Sequence, residues 1–106
     1  GEEHFVLFCL DRRRKVIHTG TVAIGRSGSV IVDDPNIFRL ALRYGANAII
    51  VAHNHPSGDL SPSYQDLEIT RRVVQVGKCL GVEVLDHVIV GRQGYHSLAQ
   101  ERTDLF

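Results

Sequence analysis

A ten-residue loop in the middle of the chain restricts the fold more than any other segment. It covers residues 53–62 with the sequence HNHPSGDLSP, and its two prolines and one glycine prevent it from continuing a strand or a helix. The apolar run before it, ANAIIVA at residues 46–52, is typical of a central strand covered on both faces. After the loop, Ser63 and Asp66 have the spacing of a capping box that begins a helix. The chain therefore passes from a buried strand through a proline-containing loop into a helix.

The remaining sequence predicts a mixed sheet with helices packed against it. Runs of β-forming residues bounded by turn residues predict five further strands, at residues 4–10, 15–24, 29–32, 82–90 and 94–97. With one helix before the central strand and one after the loop, the predicted order is β-β-β-α-β-α-β-β. This is an α/β fold in which helices flank a mixed sheet. The polar tail from Gln100 is expected to fray.

Both predicted helices carry apolar stripes at helical spacing. The first is expected to begin with Asp34 at the N-cap position and Pro35 at the first helical position, and to end near Tyr44. The second begins after Ser63 and ends at Gly81. The predicted buried stripes are Ile37, Leu40, Ala41 and Tyr44 in the first helix and Ile69, Val73, Val76 and Leu80 in the second.

Composition excludes several classes of protein. The chain has 106 residues with 12 basic and 12 acidic side chains, so its formal net charge is zero with histidine neutral. A hydrophobic fraction of 43% is enough for one globular core, and the longest apolar run is far shorter than the roughly 18 residues of a membrane span. A (β/α)8 barrel of about 250 residues does not fit. We therefore expect a single cytoplasmic domain over residues 1–106, with Cys9 and Cys79 as buried unpaired thiols.

The two loop histidines and the acid at the start of the next helix have the chemistry of a zinc site. Residues two apart on an extended segment point the same way, so His53 and His55 leave the strand on one side. Asp66 lies eleven positions after His55, in the first helical turn, where the helix dipole favours a carboxylate. Zinc takes neutral imidazole and carboxylate ligands and keeps a position for water where it is catalytic. Singly these residues have ordinary structural explanations, but together they predict a zinc site, with Ser63 as helix cap and hydrogen-bond donor.

Other metal-dependent motifs fit the sequence less well. The His-Glu-x-x-His of zincins is missing from the sequence, and a zinc deaminase would need a Pro-Cys-x-x-Cys that neither Cys9 nor Cys79 provides. A binuclear hydrolase with His-x-His-x-Asp-His would have aspartate where Ser57 stands. Residues 53–55 spell HNH, but the residues of the HNH nuclease motif are dispersed over a hairpin and a helix. A nuclease is therefore the weakest of the alternatives.

The segment of residues 53–66 resembles the His-x-His-Pro…Ser-x-x-Asp motif of the JAMM (JAB1/MPN-type) zinc metalloproteases. Its HNHPSG opening resembles the bacterial RadC family in particular. The resemblance extends over nearly the whole chain, with further matches at residues 3–5, 10–11, 20–21, 85–87 and 94–97. It implies a mixed sheet flanked by helices, similar to that of the cytidine deaminases. It also implies that the chain is a catalytic domain excised from a longer protein with an upstream helical region.

Carried onto this sequence, the resemblance assigns roles to individual residues. It implies Zn²⁺ as cofactor, His53, His55 and Asp66 as its ligands, and Ser63 as the group that stabilises the tetrahedral intermediate. The family's catalytic glutamate falls on Glu3, with Glu2 as the fallback, and it moves a proton from the attacking water to the leaving amine. Where the family often has an arginine after the proline of the first helix, this chain has Asn36.

The resemblance implies a zinc-dependent hydrolase, a metallopeptidase or isopeptidase that acts on a peptide or protein substrate. The alternative is a DNA-repair accessory domain that binds nucleic acid or a repair partner and holds a structural or vestigial zinc. Zero net charge and the lack of an aromatic stacking platform count against nucleic acid, although residues 12–15 form a basic patch. The sequence identifies neither the substrate nor the oligomeric state.

Overall fold

A five-stranded mixed sheet forms the centre of the part of the chain that this computed structural model describes, which is residues 2–26, 32 and 34–106. The elements in chain order are β1 (Glu2–Leu10), β2 (Val16–Arg26), α1 (Asp34–Arg43), β3 (Ala48–Asn54), α2 (Tyr64–Leu80), β4 (Glu83–Gly91), β5 (Gly94–Ser97), α3 (Leu98–Glu101) and a 3-10 turn (Thr103–Leu105). The strand order is β2-β1-β3-β4-β5. The predicted α/β mixed sheet is thus confirmed. Of the strand predicted at residues 29–32, residues 29–31 lie outside the described residues, and Val32 is not in a strand.

The central strand β3 pairs antiparallel with β1 and parallel with β4. Phe5 of β1 lies opposite His53 of β3, and this is the last pair of the β1–β3 ladder. Since side chains alternate across a strand, Glu3 projects from the same face of the sheet as Phe5. The register therefore places the beginning of the chain beside the end of β3.

Helices α1 and α2 contribute their apolar faces to one core with the sheet. This cluster joins buried side chains of β1 and β3, such as Leu7 and Ile49, with Ile37 of α1 and Val73 of α2. On β3, by contrast, Ile50 and Ala52 are only partly buried, so the expectation of a strand fully covered on both faces is not met.

The predicted buried stripes of the helices need two corrections. In α1, Phe38 is buried, whereas Tyr44, directly after the end of the helix, is 43% exposed and stacks on the His18 ring with centroids 3.8 Å apart. In α2, Leu80 is 45% exposed because it is the last residue of the helix, directly before the left-handed Gly81.

The tail from Gln100 does not fray. It contains the end of α3 and the 3-10 turn, and Leu105 is buried at 7% exposure. Ser97 caps α3 by accepting from the Gln100 N–H, and Asp86 of β4 accepts hydrogen bonds from the Ser97 hydroxyl and the Ala99 N–H. Hydrogen bonds therefore tie the residues directly before the tail to the sheet, and the tail itself is held by the burial of Leu105.

Two further expectations concern the thiols and the membrane. Cys9 is buried and Cys79 is exposed, so the prediction of two buried thiols is wrong for Cys79, which lies next to the end of α2. Among the helices of residues 2–26, 32 and 34–106, none is long and apolar enough to cross a membrane.

Candidate metal centre

The end of β3 holds the two histidines of the central loop. His53 is the next-to-last residue of the strand and is 2% exposed, while His55 follows directly after the strand and is half-buried. Their Nε2 atoms lie 3.0 Å apart. As expected from their spacing, both imidazoles leave the strand end on one side.

Asp66 reaches the histidines from the first turn of α2 and is 3% exposed. Its Oδ1 lies 3.1 Å from His53 Nε2, and its Oδ2 lies 2.9 Å from His55 Nε2. The predicted capping box fixes this position, because Ser63 Oγ accepts from the Asp66 N–H at 3.1 Å and Asp66 Oδ2 accepts from the Ser63 N–H at 2.8 Å. One carboxylate therefore serves both the helix start and the cluster.

The Asp66 carboxylate is held in its charged form. Burial alone would raise its pKa, but the interaction with the His53 ring and the hydrogen bond from the Ser63 N–H outweigh the burial and keep the pKa well below its usual range. A carboxylate that stays ionised at neutral pH is a ready ligand for a cation.

Glu3 is the fourth member of the cluster, and it comes from β1. Its side chain is largely buried, with Oε1 3.6 Å from His53 Nε2. Glu2 points the other way, is exposed, and lies beside His4 with an oxygen-to-nitrogen distance of 3.4 Å. The alternation of the strand thus brings Glu3, and not the fallback Glu2, to the cluster.

The His55 ring is oriented by the loop itself. Its Nδ1 lies 2.7 Å from the backbone carbonyl oxygen of Asp59, which can only accept, so Nδ1 carries the hydrogen. Nε2 is then the nitrogen with a free lone pair, and it faces Asp66. The Asp59 carboxylate accepts from the Ser61 N–H, a hydrogen bond that lowers its pKa.

The donor set matches what zinc requires. One ligand atom from each of Glu3, His53, His55 and Asp66 lies within 4.8 Å of all the others. Zinc bonds of about 2.0–2.1 Å at tetrahedral angles separate neighbouring ligand atoms by roughly 3.3 Å. The distances of 2.9–3.6 Å between the nitrogen and oxygen atoms of the cluster lie around that value. Two imidazoles and the Asp66 carboxylate at this spacing can hold a divalent metal ion, with the Glu3 carboxylate beside it.

The cluster opens into a cavity of about 520 Å³. The Ser63 Oγ accepts from the helix N–H, which leaves its hydroxyl hydrogen available to a group in this cavity. The lining residues are Glu3, His55, Pro56, Ser57, Ser63, Tyr64, Gln65 and Asp66. All five residues proposed from the sequence for metal binding or catalysis are thus at or beside one accessible space.

Comparison with known proteins agrees with this site. A sequence model of the RadC-like JAB domain matches residues 1–103. The chain is a RadC-like JAB domain. UPF0758 proteins of Bacillus cereus (strain AH187), Bacillus anthracis (strain A0248) and Bacillus thuringiensis subsp. konkukian (strain 97-27) are each 45% identical to it over 100 residues. The matched segment is 94% of this chain but 44% of each relative, so the chain spans less than half the length of these proteins.

The resemblance to the RadC family is therefore confirmed. The five-stranded mixed sheet of this RadC-like JAB domain is consistent with the JAB/MPN fold. The family and the four-residue cluster together fit a metallohydrolase.

Sequence reasoning missed the residues that support the ligands of this JAB domain. His87 of β4 is fully buried, and its Nε2 lies 2.8 Å from His53 Nδ1. Its Nδ1 lies 2.6 Å from Thr70 Oγ1, and its pKa is lowered to about 3, first of all by burial. Phe5 stacks on the His53 ring with centroids 4.4 Å apart and planes 7° from parallel. The sequence carries no local signal for His87, because its contact with His53 crosses from β4 to β3.

Proposed function

We propose that this RadC-like JAB domain is a zinc-dependent hydrolase that cleaves peptide or isopeptide bonds. The observation that carries the proposal is the convergence of Glu3, His53, His55 and Asp66 within 4.8 Å at the wall of an open cavity. Mixed imidazole and carboxylate donors favour zinc over magnesium or calcium, which prefer oxygen ligands alone. Bound zinc polarises a carbonyl group and lowers the pKa of water.

Each residue of the cluster has a separate task in this proposal. His53, His55 and Asp66 hold the ion on two elements of the fold, the end of β3 and the start of α2. The Glu3 carboxylate, buried and 3.6 Å from His53 Nε2, accepts a proton from the attacking water and passes it to the leaving amine. The Ser63 hydroxyl donates to the oxygen of the scissile carbonyl as negative charge develops on it.

A metal analysis combined with an activity assay tests the proposal. Chelator-free wild type is expected to contain one zinc per chain, and His53→Ala and Asp66→Ala to contain almost none. Glu3→Gln is expected to keep zinc and to lose at least about 100-fold in hydrolysis of a peptide library or of lysine isopeptides, as expected for loss of an acid–base group. Glu68→Gln, at a partly exposed glutamate of α2 outside the cluster, is the matched control. A folded wild type that binds no zinc would overturn the proposal.

The nucleic-acid alternative has less support. Within the basic patch of residues 12–15, Arg14 pairs with Glu83 at 3.3 Å, and the formal net charge of the chain is zero. Salt-dependent DNA binding that is lost on charge reversal of residues 12–15, and kept in Glu3→Gln, would favour this alternative. We also propose that the domain acts in the cytoplasm, the compartment expected from the sequence.

A further inference from the structure

A series of short polar contacts leads from α2 through β4 to Nδ1 of His53, the ring nitrogen on the side away from the metal-facing Nε2. Thr70 Oγ1 lies 2.8 Å from the backbone carbonyl oxygen of Asp66 and 2.6 Å from His87 Nδ1. His87 Nε2 in turn lies 2.8 Å from His53 Nδ1. Thr70, His87 and His53 are all at most 2% exposed, so water is not available to replace any of these contacts.

The positions of the hydrogens along this series of contacts follow from its first member, the backbone carbonyl oxygen of Asp66. A carbonyl oxygen can only accept, so the single hydroxyl hydrogen of Thr70 is donated to the carbonyl of Asp66. Thr70 Oγ1 must then accept from His87, which places the hydrogen of the neutral His87 ring on Nδ1. His87 Nε2 is left as an acceptor, and the hydrogen between the two rings belongs to His53 Nδ1.

We propose that Thr70 and His87 form a relay that fixes His53 with its hydrogen on Nδ1, so that the Nε2 lone pair is offered to the metal. His87 is a positioning residue, since it acts on the ion only through His53. In the reversed relay, His87 would donate to His53 Nδ1 and a neutral His53 would carry its hydrogen on Nε2, where it blocks metal binding. The inference rests on the proposed zinc site. It adds that two residues outside the ligand set determine how well that site binds its ion.

The relay also couples two of the ligands. Thr70 lies one helical turn after Asp66 and bonds to its backbone, so the same helix that carries the Asp66 carboxylate sets the direction of the relay. His87 belongs to β4, which pairs in parallel with β3. The orientation of His53 therefore depends on the packing of α2 against the sheet.

Two threonine variants test the relay through zinc affinity, measured by competition with a chromophoric chelator. Thr70→Val keeps the shape of the side chain and removes the hydroxyl, and it is expected to weaken zinc binding by about 10–100-fold, as for other residues that orient metal ligands. Thr70→Ser keeps the hydroxyl and is expected to bind zinc nearly as well as wild type. Thr19→Val, at an exposed position of β2, is the control for the substitution itself.

Nitrogen NMR of the histidine rings provides a readout that a merely structural role would not produce. In wild type, His87 is expected to show a protonated Nδ1 and an unprotonated Nε2. A hydrogen on His87 Nε2 would overturn the relay, whether or not the variants fold. Zinc binding by wild type that Thr70→Val leaves unchanged would overturn the relay alone, whereas a wild type without zinc affinity would overturn the relay together with the proposed function.

Discussion

At the scale of single residues, Asn54 has a role distinct from that of the histidines on either side of it. The β1–β3 ladder ends with Phe5 opposite His53, and the Asn54 side chain extends the pairing by one more residue. Its Oδ1 accepts from the His4 N–H at 2.7 Å, and its Nδ2 donates to the Glu2 carbonyl at 2.9 Å. These two bonds lie on either side of Glu3 in the chain, so they hold the backbone that carries the proposed acid–base group.

Replacing Asn54 with alanine should loosen the beginning of β1. The His4 amide loses its acceptor, and we expect its hydrogen exchange to become clearly faster, because exchange follows local opening. The Phe8 amide, in the middle of the same strand, serves as the internal control. Equal exchange of His4 in wild type and Asn54→Ala would show that the side chain does not hold this segment.

Ser63 combines two functions that substitution can separate. Ser63→Ala removes both the cap of α2 and the hydroxyl in the cavity, and should lower the free energy of unfolding by about 1 kcal/mol. Ser63→Asn keeps a good N-cap but has no hydroxyl. We expect urea unfolding to show a stability near wild type for Ser63→Asn, and both variants to lose hydrolysis. Full hydrolysis in Ser63→Ala would show that the hydroxyl acts only as a cap.

The residues of the candidate metal centre could be brought together from the sequence alone, while the residues that contact them could not. His53, His55 and Asp66 lie within one continuous segment, so residue type and spacing are enough to predict that they lie close together. His87 contacts His53 across 34 positions, and Asn54 contacts His4 across 50. Such contacts depend on strand order and register, which a single sequence does not determine.

At the scale of elements, Gly77 permits α2 to pack against the beginning of β4. A Cβ atom at this position would overlap the carbonyl oxygen of Val82 and approach Val84 Cγ2 to 3.0 Å. Alanine would gain about 1 kcal/mol in helix propensity, but a backbone oxygen cannot move aside as the end of a side chain can. The absence of a side chain at Gly77 is therefore a condition for the close approach of the helix to the strand.

We expect Gly77→Ala to destabilise the domain by about 1–3 kcal/mol in urea unfolding, the usual range for overpacking. Gly91→Ala is the matched control, because its Cβ would meet Leu60 Cδ2 at 2.6 Å, the end of a flexible side chain that can turn away. Its effect should be clearly smaller. A Gly77→Ala variant as stable as wild type would mean that α2 can shift without cost.

The elements were predicted well where one local signal decided them. Helix α1 begins at Asp34, so Asp34 is its first residue rather than the predicted N-cap and Pro35 is its second, while both α1 and α2 are followed by a glycine with positive φ, Gly45 and Gly81. The errors at Tyr44 and Leu105 concern burial, which depends on the partner surface. Tyr44 has an apolar body at helical spacing but lies on His18 at the surface, and Leu105 is buried although the tail around it is polar.

At the scale of the whole molecule, the cluster joins parts of the chain that are distant in sequence. Glu3 comes from the first strand, the histidines from the central strand, and Asp66 from the helix after the loop. In an unfolded chain these groups are not held together, so a metal ion binds mainly the folded state. Binding of an ion at the proposed site would therefore contribute directly to the stability of the fold.

Zinc should raise the melting temperature of the domain, and a chelator should lower it. With free zinc at 100 times the dissociation constant, the expected stabilisation is about 2.7 kcal/mol, and it grows with the logarithm of the zinc concentration. His53→Ala should lose this dependence, whereas His18→Ala, which removes a histidine stacked on Tyr44 and outside the cluster, should keep it. A zinc-dependent shift in melting temperature of equal size in both variants would mean that the ion binds elsewhere on the chain. Zinc held by the cluster should stabilise only the variant that keeps His53.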